Sequence, residues 1–285
     1  MGLKIILAKT AGFCFGVKRA VEMAFKHQNT LNTYTLGPII HNDTVINHLI
    51  QKGISPIDNL ENKTVNTLII RSHGVKPEIY EEAKSKDIQL VDATCPYVKK
   101  IHRLVQEHYT KGHRIVIVGN KTHPEVEGIN GWAHNDCIII KDVVELEALN
   151  LTQSSTKYLI VAQTTYKKES VEQVVKWFDA KNYAYQYINT ICNATKERQQ
   201  EAVDIAKQAE CMLVIGSHYS SNTLKLYEIS KAYCANSHCI ADADELTREM
   251  VENCENIGIT AGASTPASVI DAVTQKLLKM NQQEA

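Results

Sequence analysis

No run of apolar residues in this chain is long enough to cross a bilayer. Its aliphatic stretches, such as 5–8, 115–118 and 137–140, reach only about a fifth of a spanning helix. The N-terminus lacks a basic segment followed by an apolar region, so no secretory signal is expected. Ile6 stands where a myristoylation signal would need Ser or Thr. An excess of one charge is missing too: 31 Lys and Arg face 32 Asp and Glu, a formal net charge of −1. No block of like charge suggests a tail or a nucleic-acid surface, so neither nucleic acid nor membrane is expected as a partner. Long or low-complexity linkers are absent as well, so the 285 residues form one large domain or up to three tightly apposed small ones.

What the chain does have is cysteine. Eight cysteines without an export signal point to reduced thiols in a cytoplasmic setting. Cys137 and Cys211 adjoin strand-like runs and read as small buried hydrophobes. Cys234 and Cys239 flank an Ala-Asn-Ser-His segment, but the second pair that a zinc clip needs is missing. Cys14, Cys95 and Cys192 differ from these. They stand in GFCFGVKRAVE, DATCPYVKKIH and TICNATKERQQ, each in a loop that opens a helix. A helix N-terminus favours thiolate over thiol and eases reduction of an anionic group. Any one of the three could be a plain helix-cap cysteine. Three thiolates in one local setting, from separate parts of a fold, can hold an iron–sulfur cube with one iron free, which points to redox catalysis at a bound substrate.

Short apolar runs alternate with helix-period segments along the whole chain. Strands are expected at 4–8, 33–36, 67–70, 89–92, 114–118, 137–140, 158–162, 185–188, 212–215, 239–240 and 257–260. Helices are expected at 16–27, 43–52, 76–86, 97–111, 168–180, 194–208, 223–233 and 267–280. This alternation predicts an α/β fold with largely parallel sheets. Divided at its cysteines, the chain gives segments 1–95, 96–191 and 192–285, suggesting three similar αβα layers around a shared centre.

Parallel sheets collect ligands beyond the carboxyl ends of their strands. Those tips read Arg71-Ser72-His73-Gly74, Gly119 to Glu125, Gln163-Thr164-Thr165, Gly216 to Asn222 and Ala261 to Pro266. They are rich in hydroxyl, amide and imidazole groups, and several precede helices whose free N–H groups suit phosphate. His41, His73 and His123 fall in loops, whereas His27, His48, His102, His108, His113, His134, His218 and His238 read as exposed helix or turn residues. Neutral imidazoles and hydroxyls could hold a diphosphate without a lysine cluster, in keeping with the near-zero charge. Glu125, after His123-Pro124, is a plausible acid if burial raises its pKa.

Nine motifs in order, AGFCFGVKRAV, LGPIIHN, RSHGVKPE, VDATCPYVKKIH, THPEVEGINGW, AQTT, TICNATKERQ, GSHYSSNT and TAGASTP, resemble one family from Gly12 to about Pro266. It is the 4-hydroxy-3-methylbut-2-enyl diphosphate reductases (IspH or LytB), which perform the last step of the methylerythritol phosphate route to isoprenoids. The resemblance implies three αβα domains in a pseudo-threefold arrangement around a closed cavity. It implies one [4Fe–4S] cluster per chain on Cys14, Cys95 and Cys192, with flavodoxin or ferredoxin as electron donor. It further implies that His41, His73, His123, Ser220, Ser221, Asn222 and Ser264 line the diphosphate site, and that Glu125 and Thr164 handle the substrate hydroxyl and its protons, with Thr195 nearby. No RNA-binding extension such as some relatives carry is expected. From the residues alone, a metal-bearing sensor, a phosphate-ester hydrolase and a lyase of the same fold stay open as alternatives.

Overall fold

The computed structural model describes residues 3–149, 151 and 156–282. Along the chain run β1 (Lys4–Leu7), α1 (Phe15–Phe25), β2 (Thr33–Leu36), α2 (Asp43–Gln51), β3 (Ser55–Ile57), β4 (Thr67–Ile70), α3 (Pro77–Ser85), β5 (Gln89–Asp92) and α4 (Pro96–Thr110). Then come β6 (Arg114–Val118), α5 (Pro124–Gly131), β7 (Ile138–Ile140), α6 (Val143–Ala148), β8 (Tyr158–Ala162), α7 (Lys168–Ala180) and β9 (Tyr185–Tyr187). The chain continues through α8 (Asn193–Ala206), β10 (Cys211–Ile215), α9 (Ser221–Tyr233), β11 (Ser237–Ile240), β12 (Asn256–Ala261) and α10 (Ala267–Gln282).

The strands form three four-stranded sheets, ordered β3-β2-β4-β5, β7-β6-β8-β9 and β11-β10-β12-β1. Every pairing is parallel. Inner strands such as β4, β6 and β8 are rich in β-branched and aliphatic residues because helices cover both faces of a parallel sheet. In β6 and β8, Val116, Val118, Ile160 and Ala162 enter one core. Their neighbours Ile115, Ile117, Leu159 and Val161 enter the opposite one, as a two-residue period requires. The helices supply matching stripes, such as Val98, Ile101, His102 and Val105 on α4.

The three sheets share one topology. Each starts on an inner strand, moves out to an edge, returns to the other inner strand and finishes at the far edge. In the third sheet the last place is taken by β1, which pairs with β12 from Lys4↔Asn256 to Leu7↔Ile259. The chain therefore opens in the sheet where it closes, a pairing that no local pattern near residue 4 could express.

Three further elements differ from the sequence expectation. β3 contains Pro56 and escapes a hydrophobic-run search, yet it lies at a sheet edge, where a missing N–H is tolerated. Helices α5 and α6 are short. The first carries Pro at its start, and the second is capped by Asp142 accepting from Glu145 N–H at 3.0 Å. The chain divides into two compact units, one of Met1–Lys18, His41–Val45 and Asn193–Ala285, the other of Arg19–Ile40 and Ile46–Cys192.

Candidate active site

In each sheet the order reverses between the two inner strands, and beyond the carboxyl ends of such a pair a parallel sheet binds its ligands. In the second unit the tips of β6 and β8 meet through side chains. His123 caps α5, its Nδ1 accepting from Glu125 N–H at 3.2 Å. An accepting Nδ1 leaves Nε2, on the far side of the ring, to carry a proton. Glu125 is 3% exposed. Its Oε1 accepts from Thr164 N–H and its Oε2 from Thr164 Oγ1, both at 2.6 Å. Burial raises the carboxyl pKa, and the two Thr164 bonds oppose that rise without cancelling it.

Thr164 also faces the cysteine loop, its carbonyl accepting from Cys192 N–H at 3.0 Å. Thr190 closes the same loop, donating to Ala162 O at 2.6 Å and accepting from Ala162 N–H at 2.8 Å. Gln163, fully buried, orders both neighbouring tips: its Oε1 accepts from Asn120 N–H at 3.0 Å and its Nε2 donates to Thr165 Oγ1 at 2.9 Å.

The tip of β4 adds His73, whose ring meets His123 edge-on with centroids 5.4 Å apart. Cys95, the N-cap of α4, donates its N–H to Ser72 O at 2.9 Å, and Arg19 Nη1 reaches Thr94 O at 3.2 Å. Behind this turn lies His102, only 2% exposed and stacked on Trp132 with centroids 5.3 Å apart. The expected exposed surface histidine is thus a core residue, because it occupies the i+4 place of the buried α4 stripe. Burial lowers its pKa to about 4. It packs where a side chain on Gly74 would stand: a Cβ there would come within 2.5 Å of His102 Cε1, and Gly74 has φ +76°.

In the first unit the tips of β10 and β12 converge similarly. Ser220 caps α9, accepting from Thr223 N–H at 3.4 Å, and its Oγ lies 3.5 Å from Ser264 Oγ. Ser264 Oγ donates to the main-chain O of His41 at 3.1 Å. Asn222 is 5% exposed, and neither its Oδ1 nor its Nδ2 has a hydrogen-bond partner among the described residues. A buried amide of that kind is costly unless a ligand completes it. Thr195 is buried on α8, and Ser221 is the first residue of α9. Cys14 donates its N–H to Ala263 O at 3.2 Å.

The profile of the LytB protein family matches residues 5–278. The chain belongs to the LytB family. Among its LytB relatives is the 4-hydroxy-3-methylbut-2-enyl diphosphate reductase of Caldanaerobacter subterraneus subsp. tengcongensis, 43% identical over 288 residues, 99% of each chain. The enzyme of the same name from Clostridioides difficile is 43% identical over 274 residues, 95% of this chain and 98% of that one. A solved (E)-4-hydroxy-3-methyl-but-2-enyl diphosphate reductase, described as the terminal enzyme of the non-mevalonate pathway, is 40% identical with a TM-score of 0.69, covering 97% and 99%. The Plasmodium falciparum reductase structure is 30% identical with a TM-score of 0.90, covering 98% of this chain and 88% of that one. LytB proteins are iron–sulfur oxidoreductases of isoprenoid biosynthesis, and their three parallel-sheet αβα units are the architecture seen here.

The residues present fit such a group. None of the eight cysteines forms a disulfide. Cys14, Cys95 and Cys192 each follow the closing edge strand of a sheet, β1, β5 and β9, and each immediately precedes a helix. Three soft thiolate donors at helix N-termini suit iron and sulfide better than a hard cation. Of the expected site residues, the structure joins Glu125 to Thr164, His73 to His123, and Ser220 to Ser264 within their units. Cys14 and His41 belong to the first unit, and Cys95, Cys192, His73 and His123 to the second. Sequence reasoning passed over Arg198 inside TICNATKERQ and Glu201 just beyond it, and it gave Gln163 no role. For Arg198 the available signal was a charged residue at a helix position that buries. No described helix is long and apolar enough to cross a membrane.

Proposed function

We propose that this LytB chain reduces (E)-4-hydroxy-3-methylbut-2-enyl diphosphate to isopentenyl diphosphate and dimethylallyl diphosphate, the last step of the methylerythritol phosphate route. Two electrons and two protons replace the allylic hydroxyl by hydrogen and release water. The observation that carries this reading is the buried, raised-pKa Glu125 carboxyl, bonded twice to Thr164, whose carbonyl in turn holds the Cys192 loop. A protonatable acid hydrogen-bonded to a hydroxyl, one link from a thiolate ligand, suits a reaction that expels hydroxide as water.

When bound through Cys14, Cys95 and Cys192, one [4Fe–4S] cluster per chain supplies the electrons and a Lewis-acidic iron. The protein's own groups do the rest. His41, His73, His123, Ser220, Ser221, Asn222 and Ser264 bind the diphosphate, with Thr195 a further substrate-binding residue. The neutral donors among them hold the anion without competing lysines and fix the allylic alcohol in place. Thr164 passes the proton of Glu125 to the departing oxygen. Delivery of the second proton to one end or the other of the allylic unit decides which product forms.

The reductant is flavodoxin or ferredoxin, in a cytoplasm that keeps the thiols reduced. In this reading segments 1–95, 96–191 and 192–285 each carry one layer, with β1 completing the third sheet. Protein purified without oxygen tests the reading through iron and sulfide content and turnover with a reduced viologen dye. About four irons per chain and both C5 diphosphate products are expected. A loaded cluster without turnover would favour a sensor or lyase, and no cluster after reconstitution would overturn the reading.

A further inference from the structure

Helix α8 begins directly after Cys192, yet two of its side chains are committed to the loop that leads into Cys14. Arg198 is 3% exposed. Its Nη1 donates to Thr10 O and, at 2.9 Å, to Ala261 O, while its Nη2 donates to Gly12 O at 3.0 Å. Three residues further on, one turn along the same face, Glu201 accepts from Lys9 N–H at 2.8 Å, Thr10 N–H at 2.9 Å and Thr10 Oγ1 at 2.5 Å. The cation thus takes carbonyls and the anion takes amides of one short irregular segment, a match of polarity along residues 9–12. On its other side that segment is pinned where Cys14 N–H meets Ala263 O. Gly12, at φ +97°, holds a backbone conformation that a side chain would strain, and a Cβ there would press against Ile270 Cδ1 at 3.2 Å.

An irregular loop must find partners for its main chain or leave it to water, and water-served loops move. Five bonds to ionised groups, one of them fully shielded from solvent, fix this one instead. We propose that Arg198 and Glu201 are positioning residues that set the presentation of the Cys14 thiol before any iron is bound. The proposal rests on Cys14 being a cluster ligand. Holding a ligand in place beforehand removes the ordering cost that assembly would otherwise meet.

The test uses full-length, cluster-free protein kept reduced, with iodoacetamide alkylation of each cysteine followed by peptide mass spectrometry. Glu201→Gln keeps the shape of the side chain and removes its charge; Thr10→Val removes only the hydroxyl bond. In both, Cys14 should alkylate faster, about tenfold in Glu201→Gln, while Cys95 and Cys192 keep their rates. Arg198→Lys, which retains charge but cannot span three carbonyls, should also quicken Cys14. After reconstitution, Glu201→Gln should lose iron to a chelator about tenfold faster than the unmodified chain. An unchanged Cys14 rate in Glu201→Gln, or an equal rise at all three cysteines, would overturn the proposal, the latter by showing general loosening. Failure of the unmodified chain to load iron would sink the functional reading, and the alkylation pattern would still decide the clamp.

Discussion

At the scale of single residues, Glu125 and Asn222 show how burial marks function. Desolvation lifts the Glu125 carboxyl above the ordinary carboxylate range, and its two bonds from Thr164 only moderate the rise. A group with a raised folded pKa stays protonated to higher pH, so a rate that needs its proton falls as pH climbs through that value. The same shift means that ionising Glu125 costs stability as pH rises above the unfolded carboxyl value, about 4.3. Glu125→Gln should keep iron content and substrate affinity, lower turnover about 10²- to 10⁴-fold, and flatten the alkaline limb of the residual rate. Steady-state kinetics across pH, with iron assay, checks this. The Asn222 side chain makes no hydrogen bond within the described residues despite its burial. Asn222→Ala should therefore leave the unfolding free energy within about 1 kcal/mol of the parent, yet weaken substrate binding at least about tenfold by anaerobic calorimetry. Lost stability with unchanged affinity would remove Asn222 from the diphosphate site.

At the scale of elements, the loops are shaped by what packs behind them. Gly74 turns the β4 tip through a positive φ, and His102 fills the space a Cβ would need. Gly74→Ala should cost about 1–3 kcal/mol in urea unfolding, from backbone strain and the displaced imidazole together. Because this turn carries His73 and holds Cys95 N–H through Ser72 O, cluster retention should fall as well. An unchanged unfolding midpoint would show that the turn yields without strain. The burial of His102 was open to a helix-period count on α4, which sets it in line with Val98, Ile101 and Val105. Its packing against Gly74, 28 positions earlier, had no local sign.

At the scale of the whole molecule, one topology occurs three times, and each copy ends in an edge strand, a cysteine and a helix. The three cysteines are therefore equivalent positions of a repeated unit. Cys14→Ser, Cys95→Ser and Cys192→Ser should each abolish or strongly reduce iron and sulfide content by anaerobic assay. Cys211→Ser, at the first residue of β10 and donating to Met250 O at 3.3 Å, should retain both. Full iron retention in any of the first three would remove that thiolate from the ligand set.

Residue chemistry and period were legible in the sequence. Cysteines before helices, polar groups at strand tips and the alternation of short apolar runs with amphipathic segments are local features, set within a few residues by burial pattern and capping. They were enough for parallel α/β layers and for the residue types of the site. Tertiary structure alone decided that β1 completes the last sheet, that Glu125 meets Thr164 across 39 positions, and that Arg198 and Glu201 grip a loop about 190 positions away. Those pairings depend on which main-chain groups lack partners once the strands have paired and the helices have packed on them, a quantity that exists only when distant segments have come together.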